Sequence, residues 1–198
     1  PVDAAAPSGT AATVAPAPLP APTFPARSVA QFDRAVQQAQ AGQAQDAELE
    51  FKQLIEAVPS AGGAAYNLGV LLHGAGRLDE AENALVTATE RSPRSALAFN
   101  ELGLVRRERG NFDGAEQAYE QALAMDPDMS AAHRNLAVLR DLYMGDPAAA
   151  LPGFERYQAL TGEDKPVTGW IADVKQRAGR AAAGAPVQTP PVQAEAQQ

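Results

Sequence analysis

The sequence predicts an all-α protein: an α-solenoid of about four helix pairs with a C-terminal capping helix, flanked by disordered tails. Two sets of helix-ending residues repeat every 34 positions: Pro59, Pro93 and Pro127, and Gly42, Gly76 and Gly110. Within each period, apolar residues recur at spacings of three and four, which indicates one buried face of an α-helix. Because one helix pair cannot bury its own apolar face, successive pairs must stack.

The second period, residues 62–95, shows how one pair is built. Its first helix carries three large apolar residues, Tyr66, Leu68 and Leu72, and the small Gly69 lets a neighbouring helix approach closely. Gly76 ends that helix, since glycine tolerates a positive φ. The second helix has one apolar face, made of Leu78, Ala81, Leu85 and Ala88. Pro93 stops it, because proline cannot continue an interior turn.

The predicted units cover residues 28–61, 62–95, 96–129 and 130–163. Unit one has Arg34 and Ala35 where later units have leucine and glycine, as expected of a terminal repeat with one face in solvent. Unit four needs one inserted residue after Ala137, and Gly162 replaces the closing proline. Pro152 lies inside its second helix, so we expect that helix to be kinked or to start late.

A capping helix is predicted over residues 167–180. Trp170, Ile171 and Val174 are spaced to share one face of this helix, which suits packing on the last exposed surface of the array. Two roles for Trp170 are open from the sequence. It is either a packing residue or an exposed anchor for a partner.

The ends of the chain, residues 1–27 and 181–198, are predicted to be disordered. Seven of the 16 prolines fall in residues 1–25 and three in residues 186–191, and the N-terminal end is otherwise rich in alanine. Such a segment has too few large apolar groups to build a core and behaves as a tether. Residues 1–27 and 178–198 each carry one acidic and one basic residue, so the whole net charge of −8 lies in the middle.

Two stretches resemble the tetratricopeptide repeat: AYNLGVLLHGAGRLDEAENALVTATERSP (Ala65 to Pro93) and FNELGLVRRERGNFDGAEQAYEQALAMDP (Phe99 to Pro127). The resemblance covers about residues 28–162. It implies a right-handed superhelix of antiparallel helix pairs, with a concave groove lined mainly by the first helix of each pair. The same scaffold serves many partners, so the resemblance implies protein binding without naming the partner.

The resemblance also implies which residues face the groove. The predicted partner-binding residues in units two to four are Tyr66, Asn67, Val70, His73, Asn100, Glu101, Leu104, Arg107, Arg134, Asn135, Val138 and Asp141. Their counterparts in unit one are Phe32, Asp33, Val36 and Ala39. The amides are expected to hold the backbone of a peptide beside a strip of valine and leucine side chains.

Charges in the predicted groove are few. The acids Asp33, Glu101 and Asp141 are expected to oppose only Arg107 and Arg134. The run Arg106, Arg107 and Arg109 is either a basic spot for a partner or a solvated face paired with Glu101 and Glu108, and we favour the second interpretation.

The residue types needed for catalysis are sparse. The chain has no cysteine, which excludes a disulfide scaffold, a zinc–thiolate site and a cysteine nucleophile, and it lacks the motifs of serine hydrolases, zinc proteases and nucleotide binders. His133 occupies an aromatic packing column, and His73 has no second ligand spaced to it for a metal. We therefore expect no enzyme activity, no metal and no cofactor.

The function predicted from these features is a non-catalytic adaptor that binds a protein or peptide segment. The alternative is a structural or assembly subunit of an envelope machine that uses convex and capping surfaces. The acidic charge argues against nucleic acid as the partner, and no apolar run is long enough to span a membrane. The oligomeric state is not predicted.

The chain begins at Pro1 with an Ala/Pro-rich stretch, which favours a tether behind a removed signal peptide or lipid-anchored cysteine. The expected location is the periplasm or the outer membrane of a bacterium, as a tethered envelope lipoprotein. A linker trimmed from a cytoplasmic multidomain protein is the alternative.

Overall fold

The computed structural model describes residues 25–162 and 165–183, and within these ranges the chain forms nine α-helices and no strand. The helices are α1 (Ala26–Gln40), α2 (Ala44–Ala57), α3 (Gly62–Gly74), α4 (Leu78–Arg91), α5 (Ala96–Glu108), α6 (Phe112–Met125), α7 (Ser130–Val138), α8 (Pro147–Thr161) and α9 (Val167–Ala182). Each helix packs on the next one along the chain. The predicted all-α solenoid is confirmed.

The limits of the array differ slightly from the prediction. The first helix begins at Ala26 rather than at residue 28, and α9 ends at Ala182 rather than at residue 180. The remainder of the two predicted tails, residues 1–24 and 184–198, lies outside the described residues.

Glycines with a positive φ mark the helix ends. Five positions take this conformation: Gly42 (76°), Gly76 (71°), Gly110 (78°), Gly145 (70°) and Gly162 (69°). The first helix of unit two, α3, ends at Gly74, and Gly76 lies in the turn that follows. Because other residues pay a steric cost in this conformation, these positions restrict the turns to glycine.

Helical glycines allow the two helices of a pair to approach. A Cβ atom placed on Gly69 would lie 2.5 Å from the Leu85 side chain, and one placed on Gly103 would lie 2.5 Å from the Tyr119 ring. Leu85 and Tyr119 are fully buried, so their side chains fill the space that the glycines leave. The close approach predicted at Gly69 is confirmed and recurs 34 residues later.

The inserted residue of unit four is accommodated by a π-helical turn, Leu139–Tyr143, which continues α7. The backbone N–H of Met144 donates to the carbonyl of Leu139 at 3.0 Å, which is the i→i−5 bond of a π-helix. After this π turn the chain returns to the pattern of the earlier units, with Ala150 and Phe154 buried. The predicted one-residue insertion is therefore confirmed.

Pro152 does not delay α8. This helix begins at Pro147, where the side chain of Asp146 accepts a hydrogen bond from the N–H of Ala149 at 2.9 Å, and it continues through Pro152 to Thr161. The expectation of a late start is wrong, because the start is set by the Asp146 cap and by a proline in the first turn, where no N–H partner is needed. Gly162 ends the helix as predicted.

An outer column of glutamates links successive units. Its three members are Glu48, Glu82 and Glu116, which repeat at the 34-residue spacing. They form ion pairs with arginines of the next unit: Glu48 with Arg77 at 2.6 Å, Glu82 with Arg106 at 2.9 Å, and Glu116 with Arg140 at 2.7 Å. Arg77 and Lys52 lower the pKa of Glu48 to about 2.

The two ends of the array are closed differently. At the N-terminal end, α1 and α2 share polar contacts in which Gln31 donates to Glu50 at 2.7 Å and Arg34 pairs with Glu50 at 2.9 Å. Arg34 stands where the later units have a leucine and faces solvent, as the sequence predicted for a terminal unit.

At the other end, α9 buries Val167, Ile171 and Val174 against α8. Trp170 is 39% exposed, and its ring lies 6.2 Å from that of Phe154 in a tilted arrangement. The indole therefore combines a packing contact with an exposed edge.

Candidate partner-binding groove

The first helices of the four pairs form one continuous face. Successive first helices contact one another, α1 with α3, α3 with α5 and α5 with α7, while contacts among the second helices α2, α4, α6 and α8 are sparser. Helices that pack more closely on one side curve an array towards that side. We therefore call the exposed face of α1, α3, α5 and α7 the groove.

An apolar row runs along the groove. Val29, Val70 and Leu97 are 46%, 38% and 57% exposed, and they lie on the first helices of successive units. Beside them Val36 and Leu104 are half-buried and pack on the core below. Val70 and Leu104 were predicted for the groove, whereas Val29 and Leu97 were not. The sequence did contain a sign of these two, because they belong to a further set of positions spaced 34 residues apart: Val29, Gly63, Leu97 and Ala131.

His73 is held between two carboxylates of α5. Its Nδ1 lies 2.7 Å from Oε1 of Glu101, and its Nε2 lies 3.0 Å from Oε2 of Glu108. These hydrogen bonds, chiefly the one to Glu101, raise the pKa of His73 to about 9 although burial opposes the shift. His73 is therefore a cation at neutral pH, and Glu101 and Glu108 compensate its charge. The sequence assigned these two glutamates to other partners.

Asn100 and Asn135 are buried rather than displayed. They are 8% and 6% exposed, and Nδ2 of Asn135 donates to Oδ1 of Asn100 at 2.9 Å. The expectation that both amides are displayed to hold a peptide backbone is corrected, because both side chains are buried and one hydrogen bond joins them at the interface of α5 and α7. Their role in the structure is to join units three and four.

Asp141 is also buried, at 4% exposure, and forms a bidentate pair with Arg177 of α9, in which Nη2 of Arg177 lies 2.7 Å from Oδ2 of Asp141. This pair raises the pKa of Arg177. The sequence prediction that Asp141 lies in an open groove and opposes only Arg107 and Arg134 is corrected, since the capping helix supplies its cation.

The arginine run of α5 divides into two parts. Arg106 and Arg109 pair with Glu82 of α4, and Arg109 also pairs with Asp79. The preferred interpretation, a paired face, is right in kind but wrong about the acids, because Glu101 and Glu108 contact His73 instead.

Arg107 faces the groove edge. Its guanidinium carbon lies 5.5 Å from the centre of the Tyr143 ring, within the range of a cation–π contact. Tyr143 belongs to the π turn, and its ring also stacks on Phe112 at 5.2 Å. Among the described residues, Arg107 has no carboxylate partner within ion-pair distance.

The other predicted residues remain at the groove surface. Arg134 is exposed, with its guanidinium carbon 6.0 Å from the Tyr157 ring centre. Asn67 is half-buried, and its Nδ2 donates to the carbonyl of Gly63 at 2.8 Å within α3. Tyr66 is half-buried, and burial raises the pKa of its hydroxyl. Val138 is half-buried against the cluster under α8 and α9.

Three contacts share one place in the repeat, and we call them the junction contacts. In each, the last groove residue of a first helix contacts a residue 35 or 36 positions further along, in the first helix of the next unit. They are His73–Glu108, Arg107–Tyr143 and Asp141–Arg177. Since Arg177 fills this place, α9 acts as the first helix of a fifth unit.

Metal-ligating groups are not gathered anywhere in residues 25–162 and 165–183, where no three His, Asp or Glu side chains are placed to hold an ion. His133 is half-buried, and its Nε2 lies 2.8 Å from the carbonyl oxygen of Pro127. No helix in the part of the chain that the structure describes is long and apolar enough to cross a membrane.

A curved stack of helix pairs that exposes an apolar row on its inner face is the architecture of a helical-repeat protein-interaction scaffold. The profile of the tetratricopeptide repeat matches the chain at residues 32–96, 74–130 and 100–159. The chain therefore belongs to the tetratricopeptide repeat family. No significant match is found among curated protein sequences.

Solved structures show the same fold at low sequence identity. The chain is similar to MamA, with 19% identity over 75% of this chain and 88% of the other and a TM-score of 0.67. It is similar to PilF of Pseudomonas aeruginosa, with 22% identity over 78% of this chain and 70% of the other and a TM-score of 0.66. A chain of the Naa15/Naa10 complex bound to HypK-THB matches with 21% identity over 79% of this chain and 24% of its own length, with a TM-score of 0.63.

Proposed function

We propose that this protein is a non-catalytic adaptor that binds a segment of another protein in its groove. The observation that carries the proposal is the apolar row: Val29, Val70 and Leu97 are exposed on the inner face of a rigid helical stack. Apolar side chains gathered on one concave face mark an interaction site more often than scattered ones do. Because the row is flanked by half-buried Val36 and Leu104, a bound side chain would meet an apolar floor.

The polar groups of the groove decide what kind of segment fits. The side chains of Asn100, Asn135 and Asp141 are buried and bonded inside the protein, so they are poorly placed to receive a partner. Arg134 and Arg107 remain as cations without a carboxylate partner among the described residues. We therefore propose that apolar contacts provide most of the binding energy, and that the two arginines favour an acidic group at the end of the groove formed by units three and four.

A second candidate function rests on a different surface. Leu142, Tyr143 and Met144 follow one another at and after the π turn and are 41%, 36% and 38% exposed. Units one to three have small or polar residues at the corresponding turn. This patch and the free edge of Trp170 favour an assembly subunit that is held through its turns and its cap.

We also propose a location in the bacterial envelope, with the cytoplasm as the alternative. The proposal is supported only by composition, because an Ala/Pro-rich stretch ahead of an acidic helical array is typical of a tether. Fractionation of the source cells, followed by detection of the protein in periplasmic, membrane and cytoplasmic fractions, tests it. Recovery in the cytoplasmic fraction alone would remove the envelope assignment.

The groove is tested by a matched pair of charge substitutions. Leu97 in the groove and Leu49 on α2 are both 57% exposed, so substitution by aspartate replaces a similar area of exposed apolar surface at either position. Crosslinking of the full chain in its source cells, followed by mass spectrometry, is compared for Leu97→Asp, Leu49→Asp and the unchanged protein. We expect Leu97→Asp to lose partners that Leu49→Asp retains.

Two outcomes separate the candidate functions. If both aspartate variants recover the same partners as the unchanged protein, groove binding is contradicted. If Leu142→Asp alone removes the partners, the assembly surface at the π turn replaces the groove as the proposed site.

A further inference from the structure

The half of the groove formed by units one and two suits an uncharged, apolar ligand. Phe32 and Tyr66 occupy the same groove column there, half-buried and packed on the core, on the helices that also carry the exposed Val29 and Val70. Asp33 is the only acidic side chain of the predicted groove columns in these two units, and the cation His73 is already compensated by glutamates. A ligand with few charges would therefore leave no charge unpaired on either side.

Gly63 leaves space along this half of the groove. A Cβ atom at this position would lie 3.8 Å from the edge of the Phe32 ring. Since glycine has no Cβ, the exposed backbone of α3 at Gly63 and the adjacent edge of the Phe32 ring are not covered by a side chain at this position, which lies in the same column as Val29 and Leu97. Grooves that pair aromatic rings with exposed backbone are suited to proline-rich segments, which enter with little loss of conformational entropy.

The chain itself carries such a segment directly ahead of the groove. Residues 14–24 read VAPAPLPAPTF and contain no charged residue, and they precede Pro25, which caps α1. Val29 lies on the first turns of that helix, so the segment joins the array beside the apolar row. These 11 residues lie outside the described part of the chain.

The segment is long enough to cross the first three units. Neighbouring helices pack about 8–10 Å apart, so the distance from α1 across α3 to α5 is roughly 20 Å. A proline-rich segment in the polyproline II conformation rises about 3.1 Å per residue, so 11 residues reach roughly 34 Å. Leu19, in the middle of the segment, can therefore reach the space between Val70 and Leu97.

We infer that residues 14–24 bind in cis across the apolar row from α1 to α5, where they compete with an external partner for the groove. This inference rests on the proposed function, since it assigns the same site a neutral proline-rich ligand. The effective concentration of a tethered segment is high, so even a weak intrinsic affinity fills the site. A partner must then displace it, and the segment acts as a competitive regulator of the groove.

The absence of cysteine makes a direct test possible. A single Ala17→Cys substitution in the full chain carries one nitroxide spin label, and nuclear magnetic resonance then reports which backbone amides it broadens. We expect loss of amide signal intensity at Val70 and Leu97, and none at Leu49 or Gln121 on second helices. A label at Ala185→Cys is the position control, and it is expected to leave Val70 and Leu97 unchanged.

Two substitutions in the labelled chain decide whether the contact is specific. Leu97→Asp is expected to restore the intensity at Val70, and Leu49→Asp, with the same exposed fraction, is expected to leave the broadening in place. Broadening that is uniform over both faces, or that survives Leu97→Asp, would overturn the inference.

A mixed sample separates cis from trans binding. Isotope-labelled protein without nitroxide is combined with spin-labelled protein without isotope. Broadening in this mixture equal to that in the doubly labelled chain would show binding between copies and would overturn the cis assignment. The proposed function is tested separately, because Leu97→Asp can still lose an external partner when the spin label shows no contact.

Discussion

The junction between units two and three and the junction between unit four and α9 place opposite charges at the same position. In the first, the last groove residue is the cation His73, and it contacts Glu108 of the following first helix. In the second, the last groove residue is the anion Asp141, and it contacts Arg177 of α9. The fold therefore accepts a charge of either sign at the last groove position when the following helix supplies the opposite one.

Burial distinguishes the two junctions. Glu108 is 43% exposed, whereas Asp141 and Arg177 are 4% and 12% exposed. Solvent therefore screens the first pair and hardly reaches the second. Between them, units three and four use the Arg107–Tyr143 cation–π contact, which involves one charge only. The three junction contacts should thus differ in energy in a predictable order, which can be tested by substitution.

The largest effect is expected from Arg177→Met. The substitution leaves the Asp141 carboxylate buried without its cation, which costs about 3–5 kcal/mol in the free energy of unfolding. Urea denaturation followed by circular dichroism measures the change. Lys175→Met on the same helix is the control, because it removes only the exposed pair with Glu155 and should cost less than about 0.5 kcal/mol. Equal losses in the two variants would contradict the burial argument.

The buried amide pair between units three and four comes next. Asn135→Ala removes the donor to Asn100 and leaves a buried acceptor unpaired, which should lower the free energy of unfolding by about 1–3 kcal/mol. Asn67→Ala, whose amide bonds only within its own helix, should change it by less than about 0.5 kcal/mol. Thermal unfolding of both variants measures the difference. If Asn135→Ala unfolds at the wild-type temperature, Asn135 is a displayed groove residue, as the sequence suggested.

The His73 junction predicts a dependence of stability on pH. The pKa of His73 is raised from 6.5 to about 9 in the folded state, so its contribution is fully present below about pH 6.5 and is lost as the pH rises through about 9. Because Glu108 is more than a third exposed, we expect a loss of only about 1–2 kcal/mol over this window.

The measurement is urea denaturation at several pH values, made in parallel on the His73→Gln variant. The difference between the two proteins isolates His73 from other groups that titrate in this range. A difference that stays constant from about pH 6 to about pH 10 would show that the two glutamates do not hold the imidazolium.

The smallest effect is expected at the cation–π junction. Tyr143→Leu keeps an apolar side chain in the π turn but removes the ring face below Arg107, which should cost about 0.5–1 kcal/mol at this partly exposed position. A double-mutant cycle with Arg107→Met measures the coupling energy. A coupling energy near zero would mean that the two side chains are neighbours without a stabilising interaction.

The repeat itself could be predicted from the sequence because its spacing is a strict period. Glycines and prolines 34 residues apart predicted the turns, and Gly69 predicted the close helix contact that the structure shows at Leu85. These features depend on local chain chemistry, which each unit repeats. The one-residue insertion in unit four was also visible, but its π-helical form was not, since a loop could equally have absorbed it.

The polar partners could not be predicted in the same way. Glu101 and Glu108 lie 28 and 35 residues after His73, and Arg177 lies 36 residues after Asp141, so each pair joins helices of different units. Such contacts depend on side-chain direction at the interface between units. The burial of Asn100 and Asn135 depends on the same geometry, so the sequence could assign them to a column without showing that they bond to each other.

The π turn has a consequence for how this array can change over time. An extra residue inside a helix would normally rotate everything after it by about 100°, and every later contact would have to adjust. Here Met144 bonds back to Leu139, and the chain regains its phase before Pro147. The effect of the inserted residue is thus confined to a single helical turn. A change of one residue in chain length at this point can therefore be absorbed before α8 begins, without moving α8 and α9.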